Sequence, residues 1–147
     1  MDSAVGSRGH ELRITIFHCP RCCGETAAAA GHGCRVVDCC GAEVDGTRVA
    51  AAFLDGADGV LVLGCLGRAC QRSCDDVEAF RRIHAGALAL QRLGVAPARL
   101  QRHWLTPREA TRIPALLVAF RRRLHVLGPR PRQPAPTTPE AMTATGP

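Results

Sequence analysis

The chain has 147 residues, of which 46% are hydrophobic and 22% are charged, and this fits one globular domain of ordinary size. Aromatic residues make up only 3% and tyrosine is absent, which argues against a surface that stacks nucleic-acid bases, so no nucleic-acid partner is expected. All 19 basic residues are arginine, and the net charge of +6 suggests an acidic partner at most.

The first part of the chain contains two predicted strands that both end in cysteine. Residues 1–10 are small and polar and are predicted to be disordered. They lack the apolar stretch of a signal peptide, which predicts a cytoplasmic protein. The strands are Leu12–Cys19 and Arg35–Cys40, and helical segments are predicted at 25–30 and 46–55.

A third predicted strand, Asp58–Cys65, also ends in cysteine. Its centre is apolar on both faces, which is typical of a central strand in a parallel sheet covered by helices. The helix predicted next, 73–93, begins at a Ser73 cap and ends before Gly94. Its apolar face is predicted to contain Val77, Phe80, His84, Ala87 and Leu90.

A fourth strand is predicted at 99–105. The last helix is predicted to start near Thr106 and Pro107, with Thr106 as the cap. Pro114 predicts either a kink in this helix or a later start. The apolar face is predicted to contain Ala110, Ile113, Leu117, Phe120, Leu124 and Leu127.

The final segment, 128–147, is rich in proline, threonine and alanine and has nothing to bury, so it is predicted to be disordered. This leaves 11–127 as the folded domain, and no apolar run in it is long enough to span a bilayer.

The alternation of strands and helices predicts an α/β fold. We expect a small parallel four-stranded sheet with helices on both faces, arranged as a flavodoxin-like three-layer sandwich. In such a sheet, ligands bind beyond the carboxyl ends of the strands, at the point where strand order reverses. The three strands that end in cysteine should therefore bring their thiols to a common rim.

The chain contains nine cysteines, which in a reducing compartment point to metal or redox chemistry, and an odd number cannot all pair as disulfides. Cys19 and Cys22 form a C-x-x-C turn, and Cys65 and Cys70 form a C-x4-C loop. Cys40 offers a further ligand, and an iron–sulfur cluster would use all of these thiols. The remaining cysteines are expected to be buried small side chains or spare thiols; they are Cys23, Cys34, Cys39 and Cys74.

Two other interpretations of the C-x-x-C turn stay open. A cytosolic thiol–disulfide oxidoreductase would use Cys19 and Cys22 as its dithiol. A zinc-stabilised interaction module would use the turn as half of a four-cysteine site, although structural zinc usually joins two short-spaced pairs. No nucleophile–base pair, phosphate loop or paired carboxylates accompany the cysteines, so an electron-transfer subunit is predicted rather than an enzyme in its own right.

The sequence also resembles the small iron–sulfur (delta) subunit of methyl-viologen-reducing hydrogenase and heterodisulfide reductase systems. The resemblance covers about residues 12–127 and rests on four blocks in the family's order. Residues around the thiols depart from the family, most clearly at 66–71, where the usual His-x-Gly-Asp-Cys-His is missing. The matching blocks are Cys19-Pro-Arg-Cys22, Cys40-Gly-Ala-Glu-Val44-Asp45, Ala57-Asp-Gly-Val-Leu-Val-Leu-Gly-Cys65 with Cys70, and His103-Trp104.

The resemblance implies one 2Fe–2S cluster in an electron-transfer domain spanning 11–127. Five cysteines match the family pattern, one more than a cluster needs, so the candidate ligands are Cys19, Cys22, Cys40, Cys65 and Cys70, with Cys40 slightly less favoured than the others. The cluster would pass single electrons between a hydrogenase or dehydrogenase module and a heterodisulfide-reductase-like subunit that carries flavin and iron–sulfur centres.

Several charged or imidazole side chains lie close to the cysteines or in clusters. His18 directly precedes Cys19 and is interpreted as a strand-end side chain, with cluster ligation as the less favoured alternative. Arg21 and Arg68 lie inside the cysteine loops, where their charge is expected to raise the reduction potential. The arginine pair at 81–82 and the triplet at 121–123, in contrast, are interpreted as solvated helix faces.

Overall fold

The computed structural model describes residues 11–19, 33–40, 43–65 and 76–130. In this part of the chain, four parallel strands form one sheet in the order β2-β1-β3-β4. This is the order of a flavodoxin-like sheet, in which strand order reverses between β1 and β3. The predicted fold class is therefore confirmed, and each strand boundary lies within two residues of its predicted position. The strands are β1 Ile14–His18, β2 Cys34–Asp38, β3 Gly59–Cys65 and β4 Leu100–Leu105.

Helices follow the strands as the alternation predicts. The described α-helices are α1 Gly46–Leu54, α2 Asp76–Arg92 and α3 Ile113–Leu127. Asp45 caps α1, because its Oδ1 accepts a hydrogen bond of 2.9 Å from the Arg48 N–H. The predicted helix at 25–30 and the predicted Ser73 cap lie outside the described residues.

Each face of the sheet packs against helices through one cluster of buried side chains. On one face, Ile16 packs with Phe120 of α3. On the other, Val62 packs with Phe53 of α1 and Ile83 of α2. Burying a large apolar side chain contributes about 1.5–3 kcal/mol relative to leaving it in water, so these two clusters supply most of the stability. The central strand is buried on both faces, as its apolar run predicts: Val60, Leu61, Val62 and Leu63 are each 0% exposed.

The last helix begins later than Thr106. Residues Pro107–Arg112 form a 3-10 helix, and α3 starts at Ile113 with Pro114 in its first turn, where the missing N–H costs no hydrogen bond. Of the two outcomes that Pro114 predicts, the later start is the one observed. Thr106 is still the N-cap residue, now of the 3-10 helix, and forms a capping box with Glu109, whose Oε1 accepts hydrogen bonds from the Thr106 N–H and hydroxyl at 3.2 and 3.0 Å. These hydrogen bonds lower the pKa of Glu109.

The predicted apolar face of α2 is wrong at His84, which is exposed. Ile83 is the buried residue instead, and it shares its face with Leu90. At 3.6 residues per turn, positions 83 and 90 lie on one stripe, and His84 falls beyond its edge. His125 is likewise exposed beside buried Leu124.

A buried hydrogen-bond network closes the sheet at its amino end. Asp58 is 2% exposed, and its carboxylate accepts the Arg13 N–H at 3.0 Å and the Arg130 N–H at 3.3 Å. The Arg99 guanidinium donates to the carbonyls of Asp58 (3.1 Å) and Gly128 (2.7 Å). The network therefore joins β1, β3 and β4 to the end of α3.

The residues that follow α3 belong to this network. Composition places Gly128–Arg130 in the proline-rich tail, yet Arg130 Nη1 donates to the carbonyls of Phe53 (2.9 Å) and Ala57 (3.1 Å). Its guanidinium also lies 5.0 Å from the centre of the Phe53 ring, a cation–π distance. Residues 1–10 and 131–147, which are predicted to be disordered, lie outside the described residues.

We expect Asp58→Asn to lower the free energy of unfolding by about 1–3 kcal/mol, because one of the two backbone N–H groups would face an amide NH2 instead of an oxygen. Asp55→Asn is the matched control, since Asp55 is 71% exposed and lies 3.9 Å from the equally exposed Arg35. It should change stability by less than about 0.5 kcal/mol. Urea unfolding followed by circular dichroism measures both variants, and equal effects would contradict a special role for Asp58.

Candidate metal centre

The register of the sheet places three cysteine-bearing strand ends side by side. His18 at the end of β1 pairs with Asp38 of β2 and with Leu63 of β3. Cys19 and Cys39 therefore follow their strands at the same level, and the Cys39 N–H donates to the His18 carbonyl at 2.9 Å. The Cys65 backbone ends β3 at the same edge. The three strand ends thus share one edge of the sheet, where strand order reverses, and the meeting of their thiols there stays a prediction.

The structure places some of the predicted ligands and leaves others undescribed. Cys19 directly follows β1 and is 6% exposed, and Cys40 lies two positions after the end of β2 and is 9% exposed. For Cys65 the backbone alone is described, while Cys22 and Cys70 lie outside the described residues, as do Arg21 and Arg68. Within the described segments, no three His, Cys, Asp or Glu side chains come close enough to hold a metal ion. The five-cysteine ligand set therefore stays a prediction.

Cys39 differs from its neighbour Cys40 in its surroundings. Its side chain is 5% exposed and packs in the cluster with α1 and α2. Its thiol donates to the Cys40 carbonyl at 3.5 Å and lies 3.3 Å from Arg48 Nη1. Burial raises the pKa of the Cys39 thiol, and the charge of Arg48 opposes this only in part. Cys39 is thus a protonated, packed side chain, as expected.

Cys34 has a different partner from Cys39. It is half-buried against the α3 cluster, and its sulfur accepts a hydrogen bond of 3.0 Å from Arg121 Nη2. It lies at the amino end of β2, away from the cysteine rim. The expectation that Cys34 is not a cluster ligand agrees with this position.

His18 is the last residue of β1, as interpreted from the sequence, and it has a specific partner on β2. The ring is 5% exposed, and its Nε2 lies 3.0 Å from Asp38 Oδ1. Nδ1 is buried and has no hydrogen-bond partner among the described residues. The signal was present in the sequence, because His18 and Asp38 each directly precede a cysteine on strands predicted to be parallel.

The glycines of the block Ala57–Cys65 have packing roles. A Cβ on Gly59 would lie 2.8 Å from the Phe120 ring, and a Cβ on Gly64 would lie 3.2 Å from the indole of Trp104. Absence of a side chain at these two positions lets α3 and β4 approach β3. The glycines and Trp104 of the matching blocks thus fix the strand that ends in Cys65 rather than contributing chemical groups.

A cavity of about 300 Å³ lies at the opposite end of the sheet. Arg13, Arg35 and Asp55 are among the residues that line it, and none of the predicted ligands does.

The described helices include none that is both long and apolar enough to cross a membrane.

The fold and the rim together define a class of protein: a flavodoxin-like α/β domain that carries cysteines where strand order reverses. Thiols are the usual ligands of iron–sulfur clusters, and an imidazole nitrogen that is buried without a partner among the described residues, as in His18, fits the same chemistry. The residues present are therefore compatible with an iron–sulfur centre.

Comparison with known proteins identifies the family within this class. Residues 14–128 match the family described as methyl-viologen-reducing hydrogenase, delta subunit, and the chain belongs to that family. The resemblance seen in the sequence is thereby confirmed.

Two kinds of relative share a matching region of 90 residues, which is 61% of this chain. The iron-sulfur subunit of the F420-non-reducing hydrogenase of Archaeoglobus profundus is 29% identical over it, and the match covers 66% of that protein. One subunit of the ferredoxin:CoB-CoM heterodisulfide reductase of Methanosarcina mazei is 30% identical, with 11% of its length covered. The corresponding reductase subunit of Methanosarcina acetivorans is 31% identical with the same coverage. The chain thus corresponds to about a tenth of these larger reductase subunits.

The surroundings of Cys39 predict its reactivity. A raised thiol pKa leaves less thiolate at a given pH, so Cys39 in the native protein should react with iodoacetamide at pH 8 far more slowly than in urea. Arg48→Ala should slow the reaction further, because Arg48 lowers this pKa. Tandem mass spectrometry separates Cys39 from Cys40, and native labelling of Cys39 at the rate of the unfolded chain would contradict this assignment.

Proposed function

We propose that this protein is an electron-transfer subunit that carries one 2Fe–2S cluster. It relays single electrons between a hydrogenase or dehydrogenase module and a heterodisulfide-reductase-like subunit with flavin and iron–sulfur centres. The ligands are drawn from Cys19, Cys22, Cys40, Cys65 and Cys70. The cluster supplies one-electron redox chemistry, while the protein sets its position and surroundings.

The observation that carries this proposal is the adjacency of three cysteine-bearing strand ends at the reversal of strand order. A ligand bound there is held by loops from several strands while the sheet stays rigid beneath it. Thiols from distant parts of the sequence can then bind one centre while the strands keep their positions.

The rim is also suited to tuning a redox centre. Cys19 packs in the apolar cluster with Ile16, Leu63 and Leu105. Apolar surroundings limit solvent access, and access to water is one of the features that sets the potential of an iron–sulfur cluster. The described part of the rim thus offers the proposed centre apolar surroundings with little access to water.

The proposed partners follow from the relatives. One is called a hydrogenase iron-sulfur subunit, and the others are called heterodisulfide reductase subunits. In the latter the matching region is a small part of a much longer chain. We therefore propose that this domain works beside a reductase subunit of that kind and exchanges electrons between it and a hydrogenase or dehydrogenase.

The alternatives receive less support. A thiol–disulfide oxidoreductase needs an attacking thiol that its substrate can reach, and Cys19 is only 6% exposed. A zinc module is disfavoured by the cysteine spacing, because structural zinc usually joins two short-spaced pairs.

Protein purified without oxygen should be brown-red, contain iron and sulfide in equal amounts, and give a paramagnetic signal after one-electron reduction. Trp104 is the single tryptophan, and it pairs with Gly64, next to Cys65. Because a cluster absorbs in the near ultraviolet, loading the apoprotein should quench Trp104 fluorescence. A colourless preparation without iron or sulfide would contradict the proposal.

Single cysteine-to-serine substitutions can distinguish the cluster ligands from the other cysteines. Cys65→Ser and Cys22→Ser should each lose most of the visible absorption and iron, because each removes a thiolate ligand. Cys34→Ser is the matched control and should keep both, since Cys34 lies at the other end of the sheet. Iron and sulfide assays with visible spectra measure the loss, and an unbleached Cys65→Ser variant would remove Cys65 from the ligand set.

A further inference from the structure

The side chain of His18 is fixed by one hydrogen bond and leaves one nitrogen unused. Its Nε2 lies 3.0 Å from Asp38 Oδ1, while Nδ1 is buried without a partner among the described residues. The register explains the contact, because His18 and Asp38 are directly paired across β1 and β2. The ring therefore lies beside β2 at the carboxyl end of β1, one residue before Cys19.

The partner on Nε2 determines what Nδ1 can do. A carboxylate oxygen only accepts hydrogen bonds, so Nε2 carries the hydrogen and the neutral ring has a bare lone pair on Nδ1. This assignment of the tautomer follows from the hydrogen-bond partner. Histidines that bind metals almost always donate their other N–H to a carboxylate, a carbonyl or water, which is the arrangement of His18.

We propose that His18 is a ligand of the iron–sulfur centre through Nδ1 and that Asp38 is its positioning residue. This rests on the function proposed above. Among the described residues no group pairs with this buried nitrogen, whereas ligation would use its lone pair.

The proposal changes the expected ligand count. A 2Fe–2S cluster takes four protein ligands, so with His18 in place three cysteines suffice, and two of the five matching thiols stay outside the cluster. A neutral imidazole also replaces a negative thiolate, which makes the cluster less negative and its reduction easier. The potential should therefore be higher than that of the same cluster with cysteine ligands only.

The test is pulsed electron paramagnetic resonance on the reduced holoprotein, prepared with natural or with ¹⁵N-labelled histidine. We expect a strongly coupled nitrogen in the wild type that changes with the isotope. The signal should disappear in His18→Cys, where the midpoint potential should also fall. His125→Ala is the matched control, because His125 is exposed on α3, and it should keep both properties.

Asp38→Asn provides a second variant if His18→Cys does not load or fold. It keeps the imidazole but removes the carboxylate charge. The nitrogen coupling should therefore persist with altered strength, and the midpoint potential of the cluster should shift. Circular dichroism of the apoprotein checks folding.

The outcomes are separable. A loaded cluster without histidine nitrogen coupling in the wild type, or with coupling that persists unchanged in His18→Cys, would overturn the ligand proposal and leave the electron-transfer function standing. A wild-type preparation without iron or sulfide would overturn both.

Discussion

The parallel pairing of β1 with β2 on one side and β3 on the other is the constraint on which the site depends. Backbone hydrogen bonds fix the level at which each strand ends, so cysteines separated by 20 or more positions in the chain reach one edge. Apolar clusters on both faces hold this register, because a slip of one residue would turn every buried side chain of β1 towards the wrong layer. The chemistry at the rim thus depends on packing in the middle of the sheet.

Much of this fold could be predicted from the sequence. The three aliphatic runs that end in cysteine are short and strongly patterned, and together with the run at 99–105 they form the four parallel strands. The errors lie where periodicity is ambiguous or where a residue has tertiary partners. His84 is next to the buried stripe rather than on it, and the anchoring of Arg130 by Phe53 and Ala57 depends on contacts more than 70 positions away in the chain.

For the candidate site, the sequence predicts the kind of chemistry but not the surroundings of each residue. Cysteine spacing indicates thiol chemistry, but it cannot distinguish Cys39 from Cys40, which are adjacent in the chain and both buried. The difference arises from Arg48 and the α1 cluster around Cys39. The pairing of His18 with Asp38 also needed the register, since neither residue belongs to a recognisable motif. In the matching block, Asp58 and Gly64 serve the architecture, although a motif alone would suggest chemical roles.

The anchoring of Gly128–Arg130 sets the direction in which the backbone leaves the domain. These residues are bound at the amino end of the sheet, a full strand length from the cysteine rim. A polypeptide tether joined after Arg130 would start from the end of the sheet opposite to Cys19 and Cys40. Immobilisation of the protein on an electrode by such a tether would turn the rim towards solution, where soluble redox partners could approach it.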